Sequence, residues 1–145
     1  MKSTWAAAAV LALSLPATAY AATEKPPKLG GMLRCAAVYD VSSTFADEGS
    51  DAQILASRRF LQYYLIMSAM AETDANDNLT ADTLKTLFNA ESELAKAEVT
   101  LAKAAGQKGP VFAEDFATCD AFSASEAKLF AVVDEQIDAL IAKKD

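Results

Sequence analysis

Four oxygen-bearing residues, Asp74, Asn76, Asn78 and Asp82, stand at positions 1, 3, 5 and 9 of a window that a calcium-binding loop could use. An EF-hand loop takes its ligands there, with Gly at position 6 to permit the sharp turn and a bidentate Glu at position 12. Here Leu79 takes the glycine's place, and Lys85 puts a cation where two ligand oxygens belong. The stretch therefore reads as a turn: Asn76, Asp77 and Asn78 bend the chain, and Thr80 or Asn78 caps the following helix. No metal site and no cofactor are predicted.

Glu91 and Glu98 are the second candidates. Seven helical residues separate them, which leaves them only about 20° apart around a helix and roughly 10 Å apart along it. Leu84, Leu87, Phe88, Leu94, Ala95 and Leu101 form an apolar arc around them. A carboxylate facing a core needs a partner, because an unpaired buried charge costs several kcal/mol. The chain has three arginines, Arg34, Arg58 and Arg59. Of these Arg58 lies closest to the apolar face of its own helix and is the expected partner. Such a pair would set helix register or anchor a ligand. The other outcome is an offset seam that leaves both glutamates in solvent.

Cys35 and Cys119 lie 84 residues apart, so neither a zinc spacing nor a C-x-x-C redox motif is present. An even count in an exported chain predicts one disulfide. Histidine is absent altogether. That removes the usual general base, histidine-bearing triads, H-E-x-x-H zinc sites and histidine-ligated di-iron bundles. No phosphate-cradling glycine loop and no G-x-S-x-G elbow occurs. The expectation is a protein that is not an enzyme.

These residues need helices to hold them. Apolar residues recur at helical spacing after residue 31, and no strand-like alternation persists. A first helix is predicted from Met32 to Ala46, with Cys35, Val38 and Tyr39 on one face and Gly49 ending the segment. A second opens at Ser50 with a capping box completed by Gln53 and runs to Glu72. It is apolar nearly all round, so it should be the most buried or should meet a partner. The third, Ala81 to Ala105, repeats Leu87, Leu94 and Leu101 beside Ala90, Ala97 and Ala104, a heptad suited to close packing. Gly106 ends it. The fourth starts at Pro110 and stays in phase to the C-terminus, with a kink allowed around Ser123–Ser125. Short connections favour antiparallel neighbours, so the fold class is all-α, an up-down-up-down four-helix bundle in one domain, residues 32–145.

Upstream, Lys2, an apolar run from Trp5 to Leu15 and Ala19-Tyr20-Ala21 have the three-part form of a cleaved signal peptide, residues 1–21. The run is too short for a transmembrane helix, which needs about 20 apolar residues. Residues 22–31, with two prolines and two glycines, read as a flexible leader. No cysteine stands where a lipid anchor would attach, so the predicted location is the bacterial periplasm or the medium. Cleavage removes one lysine and leaves 12 basic against 20 acidic groups, a net charge of −8. Such a balance disfavours nucleic acid and anionic membranes. Two function classes remain: an exported helical protein acting through a protein partner, and a bundle that binds a small apolar ligand.

Overall fold

The computed structural model describes residues 26–73 and 79–144. Five helices occur there and no strand: α1 (Pro26–Phe45), α2 (Asp51–Thr73), α3 (Ala81–Ala104), α4 (Ala113–Ser125) and α5 (Ala127–Ala142). The predicted signal peptide and the acidic turn at Asp74, Asn76 and Asn78 lie outside the described residues. Asp82 sits in the first turn of α3.

Local sequence explains most of the boundaries. Ser50 Oγ accepts from the Gln53 amide at 3.2 Å, as a capping box requires. The return bond lands one residue early: the Gly49 amide donates to Gln53 Oε1 at 2.7 Å. Gly49 has φ +75°, a left-handed conformation that favours glycine. Thr80 caps α3, its hydroxyl accepting from the Thr83 amide at 3.1 Å. Beyond the other end of α3, Gly106 has φ +72°. Its amide donates to the Lys103 carbonyl at 3.0 Å and the Gln107 amide to that of Ala102 at 2.9 Å, a Schellman closure.

Three expectations need correction. The first helix begins at Pro26, six residues before Met32, so residues 26–31 belong to α1 and not to a leader. Prolines in a first turn lose no hydrogen bond, and the burial of Leu29, Met32 and Leu33 offsets the roughly 1 kcal/mol that each of Gly30 and Gly31 costs inside a helix. The predicted fourth helix starts at Ala113 and not at Pro110, and the kink allowed around Ser123–Ser125 is a full break: α4 stops at Ser125, and Glu126, with φ −114° and ψ 34°, turns the chain into α5. Finally, of the two outcomes expected for the second helix, the first does not hold: the most buried helix is α1.

The reason for this last difference is side-chain size. Ala36, Ala37, Val38 and Val41 have no exposed surface, and small side chains let several neighbours approach one backbone closely. Accordingly α2, α3 and α4 all pack on α1, while α5 packs on α2. Tyr63 of α2 fills the space between α1 and the two C-terminal helices, with ring-centroid distances of 6.1 Å to Tyr39, 6.2 Å to Phe122 and 5.2 Å to Phe130. Its hydroxyl donates to the Cys119 carbonyl at 2.6 Å. Cys35 and Cys119 form a disulfide between α1 and α4, their Cα atoms 5.7 Å apart.

The heptad of α3 is not its core seam. Leu84, Glu91, Ser92, Ala95, Val99 and Ala102 are buried, whereas Leu101 is 52% exposed. The helix is rotated so that a smaller, partly polar stripe faces α1. This rotation decides what Glu91 and Glu98 meet.

Candidate functional site

Glu98 meets Arg34. The guanidinium donates through Nη1 and Nη2 to the two carboxylate oxygens of Glu98, at 2.9 and 2.7 Å. Its Nε and Nη2 donate to Asp115 at 3.0 and 2.9 Å. The same cation lies 5.5 Å from the ring centroid of Phe112. Arg34 thus joins α1 to α3 and α4 through two forked ion pairs, a geometry that a planar guanidinium supports and an ammonium does not. Burial acts to lower the affinity of Arg34 for its proton, but the bonds to Asp115 and Glu98 outweigh it and the net shift is upward.

Glu91 faces the same region and is only 6% exposed. No described side chain hydrogen-bonds to it. Burial raises its carboxyl above the ordinary range; Arg34 opposes that shift, and the charges of Glu98 and Asp115 add to it. Beside it, the hydroxyl of Ser92 is buried without a hydrogen-bond partner. The two glutamates therefore share a helix face and differ in kind: one is paired at the margin of the core, the other enclosed.

Arg58, the partner expected from the sequence, is elsewhere. Its Nε donates to Asp134 at 2.8 Å and its Nη1 to Asp138 at 3.0 Å, both on α5. Gln62 Nε2 adds a bond to Asp134 at 2.7 Å. Arg58 and Gln62 lie four residues apart, one turn of α2, and hold the middle of α5 against it.

Above that attachment α2 and α5 diverge around a cleft of about 440 Å³. Leu65, Ile66 and Met70 form one wall, Leu129, Val132 and Val133 the other, and Met32 of α1 reaches it from below. Among the described residues the polar lining is Glu126 and Gln136. Apolar side chains of α5 are exposed within the cleft wall and beyond it. Leu129, Val132 and Leu140, which recur along one face of α5, are 41%, 52% and 56% exposed. Leu61 of α2 is exposed as well. On soluble proteins, exposed apolar patches of several hundred Å² are the kind of surface at which partners dock.

Sequence reading identified the apolar character of α2 and of the last helix but not the cleft. Periodicity locates an apolar stripe, yet cannot tell a stripe covered by a neighbour from one left open. The signal that could have found it is the apolar surplus of α5: Leu129, Val132, Leu140 and Ile141 exceed what one helix face can bury.

Among the described residues no group of acidic or sulfur side chains is arranged to hold a metal ion, and no helix is long and apolar enough to cross a membrane. Comparison of the chain with protein-family models, with curated proteins and with solved structures finds no match in any of the three.

Proposed function

We propose that the protein is a non-catalytic, exported helical module that binds another protein through the α2–α5 cleft. The observation that carries this reading is the exposure of Leu129 and Val132 in the cleft wall, with Leu140 exposed further along α5. A small-ligand site typically encloses most of its ligand and directs several polar groups at it. This cleft is open along one side, and its lining among the described residues is apolar apart from Glu126 and Gln136. It suits the convex surface of a macromolecule better than an isolated small molecule.

The non-catalytic part rests on the lack of histidine and on the engagement of Glu98 and Asp115 with Arg34. The exported part rests on the signal-like residues 1–21 and is compatible with the Cys35–Cys119 disulfide, since such bonds persist in oxidising compartments. Within the same reading the topology is up-down-up-down, with α4 and α5 together acting as a broken fourth helix; the short connections favour it.

A photo-crosslinking amino acid at Val132, expressed in the native cell, tests the proposal. A discrete protein adduct is expected from Val132 and none from Glu93, an exposed position on α3. Recovery of a lipid or other small molecule at Val132, without protein, would favour the second reading, an apolar-ligand bundle.

A further inference from the structure

The break between α4 and α5 has no strong local cause. Residues 111–145 contain neither Pro nor Gly, the usual sources of a sharp bend in a helix. The apolar residues keep one helical phase across it, Phe112, Phe116 and Cys119 before, Phe130, Val133 and Ile137 after. Glu126 is the one residue between the two helices, at φ −114° and ψ 34°, against about −63° and −42° in an α-helix. Its amide still donates to the Phe122 carbonyl, and its carbonyl still accepts from the Phe130 amide, both at 3.1 Å. Two serines favour the bend. Ser123 Oγ donates to the Asp120 carbonyl at 3.0 Å and Ser125 Oγ to that of Phe122 at 2.7 Å. Back-bonding of this kind bends helices without ending them.

What holds the full break is the seat of α5 on α2. Among the described residues α5 packs on α2 and α4, and on neither α1 nor α3. The Phe130 ring lies 5.2 Å from that of Tyr63, and Val133 and Ile137 are buried. The ion pairs from Arg58 to Asp134 and Asp138 lie near solvent, where such pairs are weak. Helix α4, by contrast, is fixed to α1 by the Cys35–Cys119 disulfide and by the Arg34–Asp115 pair. Release at Glu126 therefore moves α5 and leaves α4 in place.

We infer that Glu126 is a two-state hinge: α4 and α5 are either bent apart, with α5 seated on α2, or joined into a single helix from Ala113 to Ala142. The first-turn amides of α5, residues 127–129, have no partner within α5 itself. Straightening gives them the carbonyls of residues 123–125 and joins the two apolar stripes into one. Its cost is the seat on α2, so the bent state predominates until that seat is weakened. Leu129 and Val132 leave Leu65 and Ile66 on straightening, so the cleft exists only in the bent state. The hinge thus governs whether the cleft is present, and it stands whether or not a partner binds there.

Electron–electron double resonance on the full protein tests it. Nitroxides on non-canonical residues at Leu55 of α2 and Leu140 of α5, both exposed, leave the disulfide intact. The two sites are near each other in the bent state, since Arg58 pairs with Asp138. Leu140 lies about 21 Å along α5 from Glu126, so straightening should lengthen the label distance by on the order of 20 Å. Ile137→Asp removes a buried contact and should convert the short distance into one discrete long distance, with helix content by circular dichroism unchanged. Asp134→Asn combined with Asp138→Asn is the milder variant and should raise the long component roughly threefold or more over the parent. Ser125→Ala added to it should raise that component further. A broad distance distribution with loss of helix content in Ile137→Asp shows that released α5 unravels, and overturns the inference. A short distance retained in every variant overturns it as well.

Discussion

Arg34 and Glu98, 64 residues apart in the chain, face each other across the α1–α3 seam in a two-bond pair of 2.9 and 2.7 Å. Asp115 completes the group from α4. Helices α3 and α4 both lean on α1, and this guanidinium is tied to both.

Removing that cation should be costly. Arg34→Met leaves Glu98, Asp115 and the enclosed Glu91 without it, and a partly buried charge without its partner costs about 2–3 kcal/mol. Arg58→Met is the control. Its partners Asp134 and Asp138 are 37% and 65% exposed, so loss there should stay below about 1 kcal/mol. Urea denaturation of both variants measures the difference. Equal losses would remove the special standing of Arg34.

Glu91 should make stability fall as pH rises. Burial raises its folded-state carboxyl above the 4.5 of an ordinary glutamate. The folded state then holds the proton more tightly than the unfolded one, and stability decreases with pH wherever that is so. The contribution is intact below about 4.5 and is lost as pH climbs from there through the raised folded value. The slope cannot exceed about 1.4 kcal/mol per pH unit for one group. Glu91→Gln should flatten this part of the pH–stability curve, whereas an unchanged slope would place the titration elsewhere.

Loss of the disulfide should be felt throughout. Cys35 and Cys119 close a loop with a sequence separation of 84, worth up to about 4.5 kcal/mol in the chain-entropy picture. Chemical denaturation with and without a dithiol reductant measures it. A shift under about 1 kcal/mol would show that the aromatic contacts around Tyr63 hold α4 without help.

Calcium should not bind specifically between α2 and α3. Leu79 and Lys85 occupy the positions that need Gly and Glu, and Leu79 is buried as part of the core. Isothermal titration with micromolar calcium is expected to give no saturable heat; a stoichiometric isotherm would reverse the assignment of this segment as a turn.

What could be read from the chain was local. Thr80, the Ser50–Gln53 pair, Gly49 and Gly106 act on amides and carbonyls a few residues away, so the helix ends they make are written in short spans. The cysteine pairing was legible because only two cysteines exist. The rest depended on how each helix turns about its axis when it packs. Seven residues bring Glu91 and Glu98 to nearly the same face, but only the rotation of α3 against α1 encloses the first and delivers the second to Arg34. Arg58 looked the better partner from its own helix and was claimed by Asp134, 76 residues away. The small residues that make α1 the centre carry no strong signal of their own, since an alanine stripe becomes valuable only when neighbouring helices approach it. The cleft between α2 and α5 has the same origin. Its apolar residues are visible in the chain, but whether a face is covered or open is a property of the packed helices together.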